Sequence, residues 1–306
     1  MHLCQFYVKD KVRLGVAVDE YVADLQSAYQ SIVAEKNGMS AIPADMIEFL
    51  NLGRAGIKFA KQVESTVEKV VKAGRKKPGY LHALEKIRLA PPVRNPRKVI
   101  CVGANYRDHC LESGMEIPKS PVIFAKFPTA IIGPDDPIVL PKVSQKVDYE
   151  AELAFIIGKE GKDIPRDKAY QHVAGYTIFN DVSARDLQFS DGQWVRGKTP
   201  DTFAPTGPFL VTKEEVPNPQ RLDISLKLNG AVMQRSNTNQ IIFTVPYLVS
   251  FLSQVITLQV GDIISTGTPP GVGAFREPPV YLKHKDVVEI TIEKLGTLRN
   301  PVSKPK

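Results

Sequence analysis

The chain has 306 residues, is 43% hydrophobic and 24% charged, and carries a formal charge of +7 at pH 7, a composition that fits one large globular domain plus a smaller one. No apolar run reaches the roughly 18 residues needed to cross a bilayer, so no membrane partner is expected. The opening MHLCQFYVKDKVRLGVAV resembles neither a signal peptide nor a transit peptide. The cytoplasm is therefore the expected compartment, with the mitochondrion as the alternative if a presequence precedes this chain.

In chain order, HLCQFYV, VRLGVAV and EYVADL read as short strands, with Asp19-Glu20 at a turn. From Ser27 the period becomes helical. SAYQSIVAEK is expected to end at Asn37-Gly38, ADMIEFLNLG to close on Gly53, and a third helix to run to Gly74. Much of the positive charge falls on this last segment and its exit, at Lys58, Lys61, Lys69, Lys72, Arg75, Lys76 and Lys77. A solvated helix face with a modest attraction for anionic small molecules explains it. No nucleic-acid motif accompanies it, so nucleic acid is not an expected partner. Residues 1–90 are expected to form a small supporting α+β domain, ending at the Pro-rich APPVRNPRK. A second domain is expected over 95–303.

There the texture is rich in strands, Gly and Pro. KVICVG reads as a strand entering ANYRDHCLESG, and TAIIGPDDPIVLP as a hairpin. PRDKAYQHV reads as a helix and AGYTIFND as a buried strand. Asn229-Gly230 between alternating runs signals a type I′ hairpin. VPYLVSFLSQVI reads as a helix, GDIISTGTPPGVG as a strand entering a loop, and DVVEITIEKLGTL as a closing hairpin. Without βαβ alternation or a repeat, the predicted class is α+β, mainly β, with mixed but largely antiparallel strands. Cys4, Cys101 and Cys110 show no C-x-x-C spacing, and give neither a disulfide nor a zinc framework.

The stretch KVDYEAELAFIIGK organises the chemistry. As a strand it puts Glu150 and Glu152 on one face and Tyr149, Leu153 and Phe155 on the other. Two carboxylates on a buried face oppose each other's ionisation, and a hard cation relieves that directly. An exposed edge with both acids in water is the alternative. Asp181, ending AGYTIFND, supplies a third carboxylate unless it merely caps the turn VSARD. Three carboxylates with waters suit Mg²⁺, with Mn²⁺ or Ca²⁺ as alternatives. His109 and Glu112 share a helical face, as an oriented general base or as a surface pair. Lys198 can aim an ammonium at a developing oxyanion, while Arg185 and Gln188 follow Asp181 on the same turn. Thr268 and the backbone N–H groups of GTPPGVG can hold a substrate carboxylate. No Lys-Ser/Thr follows those glycines, so this is not a P-loop, and G-x-S-x-G and H-E-x-x-H are absent.

VGANYRDH, VDYEAELAFIIGK, NDVSARDLQ, GKTPDTFAPTGP and GDIISTGTPPGVG, in that order over roughly residues 95–300, resemble the fumarylacetoacetate hydrolase family. The resemblance implies a mixed-strand β-roll, usually a homodimer. It implies Mg²⁺ or a similar ion on Glu150, Glu152 and Asp181, with His109 and Glu112 on a mobile lid and Lys198 in the active site. The namesake hydrolase has a further acidic metal ligand where this chain reads Asn105, so the resemblance is to the three-carboxylate branch of acylpyruvate hydrolases, oxaloacetate decarboxylases and tautomerases. The expected substrate is a small 2-oxo or 1,3-dicarbonyl (diketo) acid, and the expected reaction oxaloacetate keto–enol tautomerisation. C–C bond hydrolysis, decarboxylation and a metal-binding scaffold without turnover are the competing readings.

Overall fold

The structure, a computed structural model, describes residues 1–32, 41–74, 78–190 and 192–305. The predicted helix end at Asn37-Gly38 and the basic Arg75, Lys76 and Lys77 lie outside these residues. Strands β1 (His2–Val8), β2 (Lys11–Val18) and β3 (Tyr21–Asp24) form an antiparallel meander. Asp24 then accepts the N–H groups of Gln26 and Ser27 and starts helix α1 (Leu25–Ile32) two residues earlier than the periodicity suggests. Asp45 caps α2 (Met46–Asn51) in the same way, and α3 (Arg54–Lys72) runs between Gly53 and Gly74 as predicted.

Short strands β4 (Leu81–Ala83) and β5 (Arg88–Ala90) return to β3 and β1. They are followed by β6 (Val99–Gly103), the short helix α4 (Arg107–Glu112) and β7 (Val122–Lys126). TAIIGPDDPIVLP is not a hairpin. Its turn exists, closed by the Asp136 carboxylate on the Gly133 N–H. However, β8 (Ile131–Ile132) runs parallel to a distant strand at Ala204–Pro205, and β9 (Ile138–Val139) parallel to Val302–Ser303. Asn300 grips the turn by donating to the Gly133 and Asp136 carbonyls, so the two halves enter different sheets.

Next come β10 (Val147–Asp148), β11 (Ala151–Ile157), β12 (Val173–Asn180) and β13 (Ser183–Ala184), with PRDKAYQHV reduced to a 3₁₀ helix over Arg166–Gln171. Single-turn helices α5 (Arg185–Gln188) and α6 (Val195–Lys198) precede β14 (Ala204–Thr212). Strands β15 (Asp223–Leu228) and β16 (Ala231–Asn237) form the predicted hairpin, with Asn229 and Gly230 both at positive φ. Helix α7 (Val245–Ser253), β17 (Ile263–Ser265) and the hairpin of β18 (Val287–Ile292) with β19 (Gly296–Ser303) complete the chain.

Among the described residues one sheet runs β4-β3-β2-β1-β14-β12-β11-β17-β6-β7, and a second runs β16-β15-β18-β19-β9. β11 has apolar cores on both sides. Leu153, Phe155 and Ile157 pack with Ile224, Ile290 and Leu248, while Ala154 and Ile156 join Phe49, Phe59 and Val63 from the N-terminal helices. Burial on both faces explains why this strand is apolar throughout. The first residues of the even-numbered face, Glu150 and Glu152, are the exception that makes the site.

Candidate metal centre and active site

Register brings the acids together. β11 and β12 are antiparallel with Ala151 opposite Asn180, so the start of one strand meets the end of the other. The Asp181 N–H donates to the Glu150 carbonyl, and the Glu150 N–H to Asn180 Oδ1. Glu150, Glu152 and Asp181 thus present carboxylate oxygens within 4.8 Å of one another. All three are buried, at 6%, 2% and 0% exposure, which removes the exposed-edge reading. The Asp181 carboxylate meets Lys126 and Lys198 while the turn starts uncapped at Ala184, which removes the cap reading.

Cations answer these charges. Lys198 Nζ lies 2.7 Å from both Glu150 Oε2 and Asp181 Oδ2, and Arg185 Nη2 lies 2.6 Å from Glu150 Oε1. Burial opposes ionisation of Glu150, but Lys198 and Arg185 outweigh it and hold the carboxyl at about 2. Among the described residues Glu152 has only neutral donors, Ser265 Oγ and the Gly267 N–H, both on Oε2. Burial, then Asp181 and Glu150, push its carboxyl well above the usual range. Burial also opposes the charge on Lys198, yet Asp181 and Glu150 raise it overall, so it stays an ammonium at neutral pH. Lys198 is therefore set between two carboxylates and, 4.9 Å from the centre of the Phe124 ring, also makes a cation–π contact.

Two residues here escape sequence reasoning. Lys126, ending β7, is 2% exposed and donates to Asp181 Oδ1 at 2.5 Å and to the Val182 carbonyl. Asp148 is fully buried, accepts from Arg185 Nε and the N–H groups of Tyr149, Gly273 and Ala274, and forms an ion pair with Arg185 Nη2 at 2.8 Å. Asp148 holds the guanidinium that holds Glu150. The only signal for it was its place two residues before Glu150. Lys126 had none, because its partner is 55 residues away.

His109 is 7% exposed, and its Nδ1 lies 3.4 Å from Glu112 Oε2, so helical spacing does put the pair on one face. Both Glu112 oxygens accept the Gly271 N–H, and Phe275 packs on the imidazole at 5.8 Å between ring centres. The GTPPGVG loop does hold carboxylates through its backbone, but they are the protein's own: Glu152 on Gly267, Glu112 on Gly271 and Asp148 on Gly273. Thr268 Oγ1 donates to the Ala151 carbonyl and accepts from Gln234 Nε2. Arg185 also donates from Nη1 to Gln188 Oε1. Asn105 is committed to the backbone of Phe243 and Thr266.

A cavity of about 90 Å³ joins these groups. His109, Glu150, Glu152, Asp181, Arg185, Gln188, Lys198 and Thr268 all line it, and Val102, Met115, Phe124, Phe189, Trp194 and Phe275 supply an apolar wall. Gly103 makes room for that wall, since a Cβ there would lie 2.7 Å from the Trp194 ring. Glu112 lies behind His109 and does not line the cavity. Three oxygen-only donors in a confined volume fit a hard divalent cation, and the ammonium between Glu150 and Asp181 shows that positive charge is accommodated there.

Comparison with known proteins agrees with this geometry. Residues 98–303 match the family model described as fumarylacetoacetate (FAA) hydrolase, C-terminal. The chain is 47% identical over 264 residues to the mitochondrial oxaloacetate tautomerase fahd2 of Xenopus laevis, covering 86% of this chain and 79% of that protein. The fumarylacetoacetate hydrolase of Exiguobacterium antarcticum superposes with a TM-score of 0.79 at 33% identity over the whole of both chains. The maleylpyruvate hydrolase of Sphingobium sp. SYK-6, solved with manganese(II) and pyruvate, superposes at 0.75 with 30% identity, again over both whole chains. The mixed-strand α+β fold, the five ordered motifs and these relatives agree: the chain belongs to the fumarylacetoacetate hydrolase family.

Proposed function

We propose that this enzyme interconverts the keto and enol forms of oxaloacetate or a closely similar small 2-oxo acid, with Glu150, Glu152 and Asp181 holding Mg²⁺. One observation carries the reading. Three buried carboxylates, a protonated lysine and a histidine paired with a carboxylate line one small cavity. When bound, the cation supplies Lewis-acid polarisation of a carboxylate and its adjacent keto oxygen.

The chain's own groups move the proton. The Glu112 carboxylate beside Nδ1 favours the tautomer with the proton on that nitrogen, leaving His109 Nε2 as the base. Nε2 takes a proton from C3 of the substrate, breaking the C–H bond, and the electron pair moves onto the C2 oxygen. The Lys198 ammonium faces that oxygen and donates to it as charge develops. Returning the proton to the oxygen completes the enol, and the reverse sequence restores the ketone. Gln188 and Arg185 are assigned to the distal carboxylate, with Arg185 also bracing Glu150, while Thr268, its hydroxyl proton committed to the Ala151 carbonyl, bounds the cavity. Lys126 fixes Asp181. Closure of the aromatic wall over a bound substrate would keep bulk water away, which would favour proton shuttling over hydrolysis.

The runner-up is C–C bond hydrolysis of an acylpyruvate or similar diketo acid, which the solved hydrolase relatives favour; there His109 would activate a water. Oxaloacetate decarboxylation is a third use of the same site. Mn²⁺ or Ca²⁺ are the alternative ions, and a homodimer is the proposed assembly. The cytoplasm is the proposed compartment, with the mitochondrion, named for the vertebrate relative, as the alternative. The deciding experiment is a panel of oxaloacetate, acylpyruvates and fumarylacetoacetate, each with and without Mg²⁺. Metal-dependent enolisation of oxaloacetate without carbon–carbon cleavage is expected. Cleavage of an acylpyruvate far faster than enolisation would replace the tautomerase reading with the hydrolase one, and no turnover on any member would leave a scaffold.

A further inference from the structure

The basic face of α3 is not used by the acidic site. Arg54, Lys58 and Lys61, at i, i+4 and i+7, line one side of a cleft of about 870 Å³, with Lys159 and Lys213 among its other residues. Among the described residues Glu214 is the only acidic one in the lining. Like charges along one helix face repel each other, and none of these five cations makes a salt bridge among the described residues. Lys213 donates to the Tyr170 carbonyl, and burial lowers its pKa despite Glu214 nearby. The remainder of the lining includes the apolar Leu3, Leu50, Ile57, Val173 and Leu210.

Two further features point to an anionic ligand. The first turn of α3 lines the cleft through Gly53 and Arg54, and Gly53 gives that helix no side-chain cap. An uncapped helix start beside an arginine is suited to phosphate oxygens. Thr212, also in the lining, is 2% exposed and its buried hydroxyl has no hydrogen-bond partner. The cleft is remote from the acids. β11 runs seven residues from Ala151 beside Glu150 to Ile157, about 20 Å, and Gly158 and Lys159 then enter the cleft.

We propose that this cleft is a second ligand site, for an organic phosphate with two or more phosphoryl charges and an apolar or aromatic group. The phosphates lie against Arg54, Lys58, Lys61 and the start of α3, and the apolar group lies on Leu3, Ile57 and Leu210. A volume of this size suits a small molecule rather than a simple inorganic ion. Cations left unpaired on a concave surface gain most from a multivalent anion.

The test is calorimetry on the full-length protein freed of divalent metal, at low and moderate salt, with ADP and pyrophosphate as probes. Removing the metal prevents the probes from binding at the acidic site through a cation. ADP is expected to bind, more tightly than pyrophosphate, and to weaken as salt rises. Lys58→Glu with Lys61→Glu should reduce ADP affinity at least about tenfold, while Lys69→Glu with Lys72→Glu, the same charge change farther along the helix, should change it less than about threefold. Both double variants should keep wild-type turnover, which certifies their folding. Equal losses in the two pairs would reduce the effect to overall charge and overturn the site. So would absence of ADP binding, or binding of a single-stranded oligonucleotide with no binding of ADP.

Discussion

The floor and the wall of the acidic cavity are built differently. The floor, made of Glu150, Glu152, Asp181, Lys126 and Lys198, stands at strand ends and on the α6 turn, no member more than 6% exposed. Most of its oxygens are held by named donors. The wall that carries His109 is a six-residue helix, α4, whose Leu111 is 80% exposed, followed by a segment in which Met115 and Ile117 are 42% and 51% exposed. It hangs on a few ties to the rest of the protein: Glu112 to the Gly271 N–H, Asp108 to Ser236, and Arg107 to the Ile241 carbonyl. Binding needs a preorganised charge cluster, because buried charges cost several kcal/mol if left unpaired. Proton transfer needs a group that closes on the substrate and lets the product leave. The difference between floor and wall therefore separates affinity from turnover, and it can be broken experimentally.

The largest effect is expected on the floor. Glu150→Gln, Glu152→Gln or Asp181→Asn should each weaken Mg²⁺ by more than about 100-fold, beyond the range for groups that only support a ligand, and remove turnover with it. Wild-type Mg²⁺ affinity in all three by calorimetry would refute the metal assignment. On the wall, His109→Ala should lower turnover by roughly 10²–10⁴ and leave Mg²⁺ and oxalate affinity within a few-fold. Glu112→Gln should cost less, since the imidazole remains. Full activity in His109→Ala would transfer the proton step to Lys198 or a water.

Asp148→Asn tests a residue that supports the floor from behind, through Arg185. It should weaken Mg²⁺ by about 10–100-fold, with the metal-free fold retained by circular dichroism, because Arg185 loses the charge that aims it at Glu150. An unchanged affinity would make Asp148 purely structural.

A smaller effect concerns Glu152 and pH. Its folded pKa is raised, so the stability contributed by its protonated form is present below the unfolded value of 4.5 and is lost as pH rises through the folded pKa. Metal-free wild type should therefore lose stability from pH 5 to pH 8 more steeply than Glu152→Gln, which has no proton to lose. Scanning calorimetry in EDTA giving the same pH slope for both proteins would contradict this. Smallest of all, saturating oxalate with Mg²⁺ should slow hydrogen exchange across residues 106–120 by a few-fold while β11 stays unchanged. Equal exchange with and without ligand would mean that the wall does not close.

The acids were legible because a carboxylate pair on an apolar strand violates local expectation, and His109 with Glu112 because three residues make most of a helical turn. The Asn229-Gly230 hairpin and the glycines bounding α3 were legible for the same reason: φ, ψ and period are local properties. Other features depended on partners far along the chain. Lys126 sits in an ordinary strand end until Asp181 meets it. Arg185, placed by its position after Asp181, turned out to be braced on Asp148. TAIIGPDDPIVLP carries a correct turn signal, yet Asn300 and two distant strands decide where its halves go.

By itself, then, the sequence determined the strand alternation, the turn at Asn229-Gly230, the glycines that bound α3 and the Glu150/Glu152 pair on one strand face. Each of these depends on backbone preference or on residues within a few positions. Only the tertiary structure decided which cations answer those acids, that Glu152 is the one without a charged partner, and that the glycine loop spends its N–H groups on the protein's own carboxylates. Electrostatic pairing in a buried site depends on distance in space, and strand register, not chain position, sets that distance.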